Sequence, residues 1–320
     1  MTTPDLSIDL APGHKHGLRL RNPVLVASGT FGYGTEYQKL VDIQRLGAIC
    51  SKGITVRPRA GNAPPRIAET PSGMLNAIGL QNIGVERVVR EMAPIWARWE
   101  VPVIVNLAGE RVDDYARMAE ALDGVPGVAG VELNISCPNV TADGRLFADD
   151  PRLAGAATAA ARARSDLPLM VKLSPNVTDI GEIARAVEAA GADCISMVNT
   201  LVGMTIDLKA RKPYLANVTG GLSGPAIRPV AVRLVYVVAQ AIRLPIVGIG
   251  GVTSTNDALE FLLAGASAIQ VGTANFVNPN TAIDIIDGLA AYLEAEGLSR
   301  IDDLIGAANP RMLARQPAVV

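Results

Sequence analysis

The sequence predicts an α/β chain folded as a (β/α)8 barrel, with loop insertions at the C-terminal face of that barrel. Two observations point there. Short β-branched apolar runs, each closed by Gly, Asn, Ser or Lys, alternate with Ala/Leu/Arg-rich helical stretches about eight times over roughly 250 residues. The runs are also continuous rather than alternating, which suits parallel strands buried on both faces. A doubly wound open sheet would give the same alternation. Eight repeats over this length favour the closed form.

In chain order the strands are "PVLVASG" (residues 23–29), "AICSKG" (48–53), "PVIVNLAG" (102–109) and "VELNIS" (131–136), then "LMVKLS" (169–174), "CISMVNT" (194–200), "PIVGIGG" (245–251) and "SAIQVGT" (267–273). Between most of them lie helical stretches such as "IGEIARAVEAAGA" and "NDALEFLLAGA". Both end at a glycine, the residue that most readily takes the conformation closing a helix. Residues 1–20 form an N-terminal extension. The surplus length falls at residues 55–74, too rich in Pro and Gly for helix, and at residues 203–222, which read as strands and turns. Both follow strand ends and are expected to roof the C-terminal face. No linker, repeat or low-complexity tract divides the 320 residues, so a single domain is expected.

Composition narrows the function. Hydrophobic residues make up 49% and charged residues 19%, ample for a large core. Lys plus Arg number 29 against 31 Asp plus Glu, so no electrostatic case exists for nucleic acid or an anionic membrane. The opening "MTTPDLSIDLAPGHKHGLRLRNP" is polar and broken by proline, unlike a signal peptide. Nowhere do about 18 apolar residues run uninterrupted. A cytoplasmic chain is expected. The three cysteines, Cys50, Cys137 and Cys194, are too few for an iron–sulfur cluster and too scattered for a disulfide framework. His14 and His16 are the only histidines, which argues against a Ser–His–Asp site or a histidine-ligated zinc.

In a barrel the chemistry sits at strand C-termini. Read in order, the tips carry Ser28, Lys52, Asn106, Asn134 with Cys137, Lys172, Asn199 with Thr200, Gly250 with Gly251, and Gly272 with Thr273. Lysine and asparagine are costly to bury, so their convergence on one face points to a planar, anionic ligand rich in hydrogen-bonding groups. The glycine turns after the seventh and eighth strands expose backbone N–H groups, where barrels often hold a phosphate. No G-x-G-x-x-G follows a strand, so no Rossmann-type dinucleotide site is offered. Cys137 lies beyond its strand and before Pro138, and a thiol of pKa near about 8.5 can act as a base without histidine. Cys50 and Cys194, within or at the start of strands, read as small buried residues.

The motifs "NISCPN", "KLSPNVTD", "NVTGGLSGPA", "NAIGLQN" and "VGTANF" resemble dihydroorotate dehydrogenase. "NPVLVASGTFGYG" and "SKGITV" are most similar to the catalytic subunit of its NAD-linked class 1B. The resemblance implies an FMN-binding TIM barrel that oxidises dihydroorotate to orotate in pyrimidine synthesis. It places the catalytic base on Cys137. It assigns the pyrimidine ring and carboxylate to Asn76, Asn134, Asn139, Asn199 and Thr200, with Lys52 near the carboxylate and Ala77, Ile78, Gly79 and Leu80 lining the substrate. Flavin contacts fall on Ser28, Lys52, Gly53, Asn106, Asn134, Lys172, Val198 and Gly224, and the flavin phosphate on Gly250, Gly251, Gly272 and Thr273. A partner subunit carrying FAD and a [2Fe–2S] cluster is implied, around a homodimeric core of a heterotetramer. The fumarate-using class, a self-sufficient homodimer, is the alternative within the family. A non-redox phosphate-binding barrel is the alternative outside it, and leaves Cys137 unexplained. In "TADGRLFAD", only Gly144 and Phe147 keep the family's Gly-Gly and Phe-Gly pattern, which bears on lid closure.

Overall fold

The protein is described by a computed structural model over residues 4–136, 141–142 and 145–314. Eight parallel strands close into a barrel: β1 (Val24–Val26), β2 (Ala48–Cys50), β3 (Val103–Leu107), β4 (Gly130–Asn134), β5 (Leu169–Leu173), β6 (Cys194–Met197), β7 (Ile246–Ile249) and β8 (Ala268–Val271). Each pairs with the next in sequence, and β8 pairs back to β1.

The continuous apolar runs are sorted by the two-residue period of a strand. Val24, Val26, Ile49, Val105, Leu133, Val171, Ile195 and Ile269 point outward into the shell shared with the helices. Leu25, Ala48, Ile104, Met170, Val247 and Ala268 point inward and form a separate cluster. A hairpin pairing Ile8–Asp9 with Arg19–Leu20 adds Leu10, Leu18 and Leu20 to that inner cluster. Leu18 lies against Gly130, the first residue of β4, so the hairpin plugs the N-terminal end of the barrel. Each such leucine contributes about 1.5–3 kcal/mol by leaving water.

Helices α1 (Val112–Leu122), α2 (Pro151–Arg162), α3 (Ile180–Ala189), α4 (Arg228–Ala239), α5 (Thr255–Ala264) and α6 (Thr281–Glu296) cover the outside. Side chains of Asp150, Asp179 and Ser254 accept from backbone N–H groups at the starts of α2, α3 and α5. Gly265, at φ 123°, ends α5, as the sequence suggests. The β1–β2 connection departs from strand–helix alternation, having a 3-10 turn at Ile43–Arg45 and a stacked Phe31–Tyr37 pair at 4.0 Å instead of an α-helix.

The two insertions meet each other. Ile67–Thr70, Gly73–Asn76, Gly220–Ser223 and Leu201–Gly203 form one antiparallel sheet with a small core of Ala68, Leu75, Ala77 and Leu215. Ser223 Oγ accepts from Thr273 Oγ1 at 2.8 Å, and the Gly224 carbonyl abuts Gly251. The sheet is thereby tied to the tips after β7 and β8, as a roof over the C-terminal face.

Candidate active site

Above the apolar inner layer, toward the C-terminal ends of the strands, the inward positions turn polar. Cys50, Asn106, Glu132, Lys172, Ser196 and Gln270 are all buried. Glu132 of β4 is the hub: its carboxylate accepts from Asn106 Nδ2 at 2.6 Å, Ser196 Oγ at 2.7 Å and Gln270 Nε2 at 3.2 Å. Gln270 Nε2 also reaches Cys50 Sγ at 3.0 Å. Burial, reinforced by the Glu132 charge, pushes the Cys50 and Cys194 thiols well above their ordinary value, so both are inert packing residues, as expected. Sequence reasoning missed Glu132, Ser196 and Gln270. The signal was present in "VELNIS", "CISMVNT" and "SAIQVGT", each with a polar residue in mid-strand where only packing was anticipated.

One turn of the pleat higher, Asn134 ends β4 beside Lys172 of β5, to which it is register-paired. Lys172 is 5% exposed, and its ammonium reaches Ser28 Oγ at 3.4 Å. Asn134 Oδ1 accepts from Asn199 Nδ2 at 3.4 Å and from the Ser136 N–H at 3.3 Å. The Tyr115 hydroxyl of α1 donates to the Asn134 carbonyl at 2.9 Å and fixes the tip from outside. Thr200 abuts Gly221 of the roof, and Asn76 Nδ2 donates to the Gly221 carbonyl at 3.4 Å. Residues 76–80 leave the roof along a bent path, with Gly79 at φ 74° and Leu80 at φ 54°. Leu80 lies against Gly53, and Gly53 against Asn106.

Lys52 follows β2, with its ammonium near Gly29 and its N–H donating to the Gly32 carbonyl at 2.7 Å. Burial, aided by the Arg66 charge, holds its pKa below the usual lysine value. Among the described residues neither Lys52 nor Lys172 pairs with a carboxylate. Gly250 and Gly251 take φ of 130° and 78° after β7, in a conformation that favours glycine. Gly272 after β8 is open: a methyl there would meet only Ala27, at 3.7 Å. Val198 is buried beside β7, donating to the Ile249 carbonyl at 3.0 Å. Asn82 is buried and accepts from the Thr55 and Gly84 N–H groups. Cys137 and Asn139 lie outside the described residues.

The described site therefore combines a buried cation, a half-buried cation, several amides and two glycine turns. Its donor set fits an anionic ring system with a phosphate. Asn106 Oδ1, buried without a partner among the described residues, offers an acceptor to such a ring. No group of three or more His, Cys, Asp or Glu among the described residues could hold a metal. No helix among them is long and apolar enough to cross a membrane.

The fold and site define a TIM barrel with a polar, cation-bearing mouth at the C-terminal ends of its strands. The dihydroorotate dehydrogenase family model matches residues 14–293, and the chain belongs to that family. It is 55% identical over 304 residues to the "dihydroorotate dehydrogenase B (NAD(+)), catalytic subunit" of Pelobacter propionicus, covering 95% of this chain and 98% of that one. The protein of the same description from Desulforudis audaxviator is 56% identical over 293 residues, covering 92% and 95%. That from Geotalea uraniireducens is 53% identical over 307 residues, covering 96% and 99%.

Proposed function

We propose that this chain oxidises dihydroorotate to orotate for pyrimidine synthesis, with FMN as its bound cofactor. The observation that carries the reading is the convergence of Lys52, Asn106, Asn134, Lys172 and Asn199 at the barrel mouth, in a chain more than half identical to catalytic subunits of that name. When bound, FMN supplies the acceptor for the hydride that leaves C6 of the substrate.

Cys137 is the base. Its thiolate takes the C5 proton, at a pKa nearer cellular pH than a serine hydroxyl has. Asn134 and Asn199, already joined by a hydrogen bond, present amide donors and acceptors to the pyrimidine imide, with Asn76, Asn139 and Thr200 completing the set. Lys52 neutralises the substrate carboxylate, while Ala77, Ile78, Gly79 and Leu80 cover the ring and exclude water. Lys172, held near Ser28, places positive charge where reduction adds electrons. Asn106, Gly53, Val198 and Gly224 border the flavin, and Gly250, Gly251, Gly272 and Thr273 hold its phosphate.

Electrons leave for NAD+ through a partner subunit bearing FAD and a [2Fe–2S] cluster, around a homodimer of this chain. Support for that route is the NAD(+) and subunit wording of the relatives' names.

The test is the visible spectrum of the purified chain, followed by anaerobic dihydroorotate. A yellow protein that bleaches is the expected result. A yellow protein that stays yellow overturns the substrate, and a colourless one that takes up no FMN overturns the flavin.

A further inference from the structure

Asn106 can hold its amide either way round, and the buried carboxylate beside it selects one. Its Nδ2 donates to Glu132 Oε2 at 2.6 Å, the short length of a charge-assisted bond. Its Oδ1 is buried and meets no donor among the described residues. That oxygen faces Gly53, where a Cβ would stand 2.6 Å from it. It is thus aimed at the strand tips rather than into the barrel. Rotating the amide by half a turn would set oxygen against oxygen at Glu132. Ser196 and Gln270 occupy the other carboxylate oxygen, Oε1, at 2.7 Å and 3.2 Å, which leaves Oε2 for Asn106.

We infer that Glu132 is a positioning residue for the cofactor site, fixing Asn106 so that Oδ1 accepts a hydrogen bond from the flavin ring. The inference rests on the flavin reading above. An oxidised isoalloxazine has one N–H, its imide, and an acceptor already oriented for it binds without the entropy of a free amide rotor. Gly53 belongs to the same device, because any side chain there would crowd the acceptor.

A double-mutant cycle on FMN affinity tests this, with the full chain and FMN fluorescence as the readout. Glu132→Leu is expected to weaken FMN binding about tenfold or more, the scale of one charge-assisted hydrogen bond. In an Asn106→Ala background the same change is expected to shift affinity by less than about twofold, because nothing is left to orient. Glu132→Gln is expected to stay within about threefold of the parent: its carbonyl still accepts from Asn106, and Gln270 can turn its unpartnered Oε1 toward the new amide. A purely structural role predicts equal losses in both backgrounds, and that result overturns the proposal. So does a Glu132→Gln loss beyond about tenfold, which decides the matter if Glu132→Leu does not fold. A parent chain that takes up no FMN overturns this proposal together with the flavin reading. A parent that binds FMN but is not bleached by dihydroorotate removes the substrate alone and leaves the cycle to be read.

Discussion

Gly272 separates room for the protein from room for its ligand. A methyl at this position meets Ala27 at 3.7 Å, ordinary van der Waals contact, and nothing else within 4 Å. Its φ lies outside the left-handed range, so alanine adopts the backbone without strain. Gly272→Ala therefore removes freedom from the unfolded chain alone, worth about 0.4–1 kcal/mol of stability. The Tm of the cofactor-free protein is expected to hold or rise by up to about 3 °C. On the proposed phosphate assignment, the space the methyl fills is where a phosphate would approach the turn after β8. Losing one charge-assisted amide–phosphate bond costs about 1.5–3 kcal/mol, or about 10- to 150-fold in Kd. FMN titration followed by fluorescence, beside thermal unfolding without FMN, measures both quantities. Unchanged FMN affinity would refute the phosphate assignment, and a fall in the cofactor-free Tm would refute the steric reasoning.

Three further outcomes are expected. Cys137→Ser is expected to lose most turnover at neutral pH and regain it as pH rises, because a hydroxyl is harder to ionise; wild-type rates on a flat pH profile would contradict the base assignment. Burial and Arg66 lower the Lys52 pKa, so its ammonium loses its proton at a lower pH than an exposed lysine. Affinity for the carboxylate substrate is then full on the acid side and fades as pH rises through that lowered value. Lys52→Met is expected to raise KM about tenfold and flatten its alkaline limb, and a limb that persists would assign it to another group. Lys172→Met is expected to lower the flavin midpoint potential by about 30 mV or more, since a buried cation favours the reduced anion; spectroelectrochemistry giving an unchanged potential would place the ammonium away from the ring.

The strands were legible because a barrel strand is covered on both faces, which writes an unbroken apolar run into the sequence. The ends of α3 and α5 were legible because Gly191 and Gly265 carry the positive φ that stops a helix. Pairing of the two insertions was not. Leu75 meets Leu222 through antiparallel register, a long-range choice that no local pattern encodes. At the site, Lys172 could be read because a lysine inside "LMVKLS" has few structural excuses, and it is 5% exposed. Glu132 escaped for the opposite reason. Its partners Asn106, Ser196 and Gln270 come from three other strands, and only closure of the barrel brings them to one carboxylate.

The two halves of the barrel interior divide stability from binding. Toward the N-terminal end, Leu25, Ile104, Met170 and Val247 pack with the Leu10, Leu18 and Leu20 plug in one apolar cluster. Toward the C-terminal end, among the described residues, Glu132 is met by three donors, yet Asn106 Oδ1 has none and the Lys172 ammonium has one long bond. An unsatisfied buried acceptor costs about 1–3 kcal/mol. A ligand that brings a donor to Asn106 and negative charge to Lys172 relieves that penalty only while bound. The relief therefore appears as affinity, and the folded chain gains it by linkage when the ligand is present. A plug at one end and unmet polar groups at the other favour entry from the C-terminal side, independently of any relative: the proposed ligand would lie beneath the roof, against the tips of β3, β4 and β5.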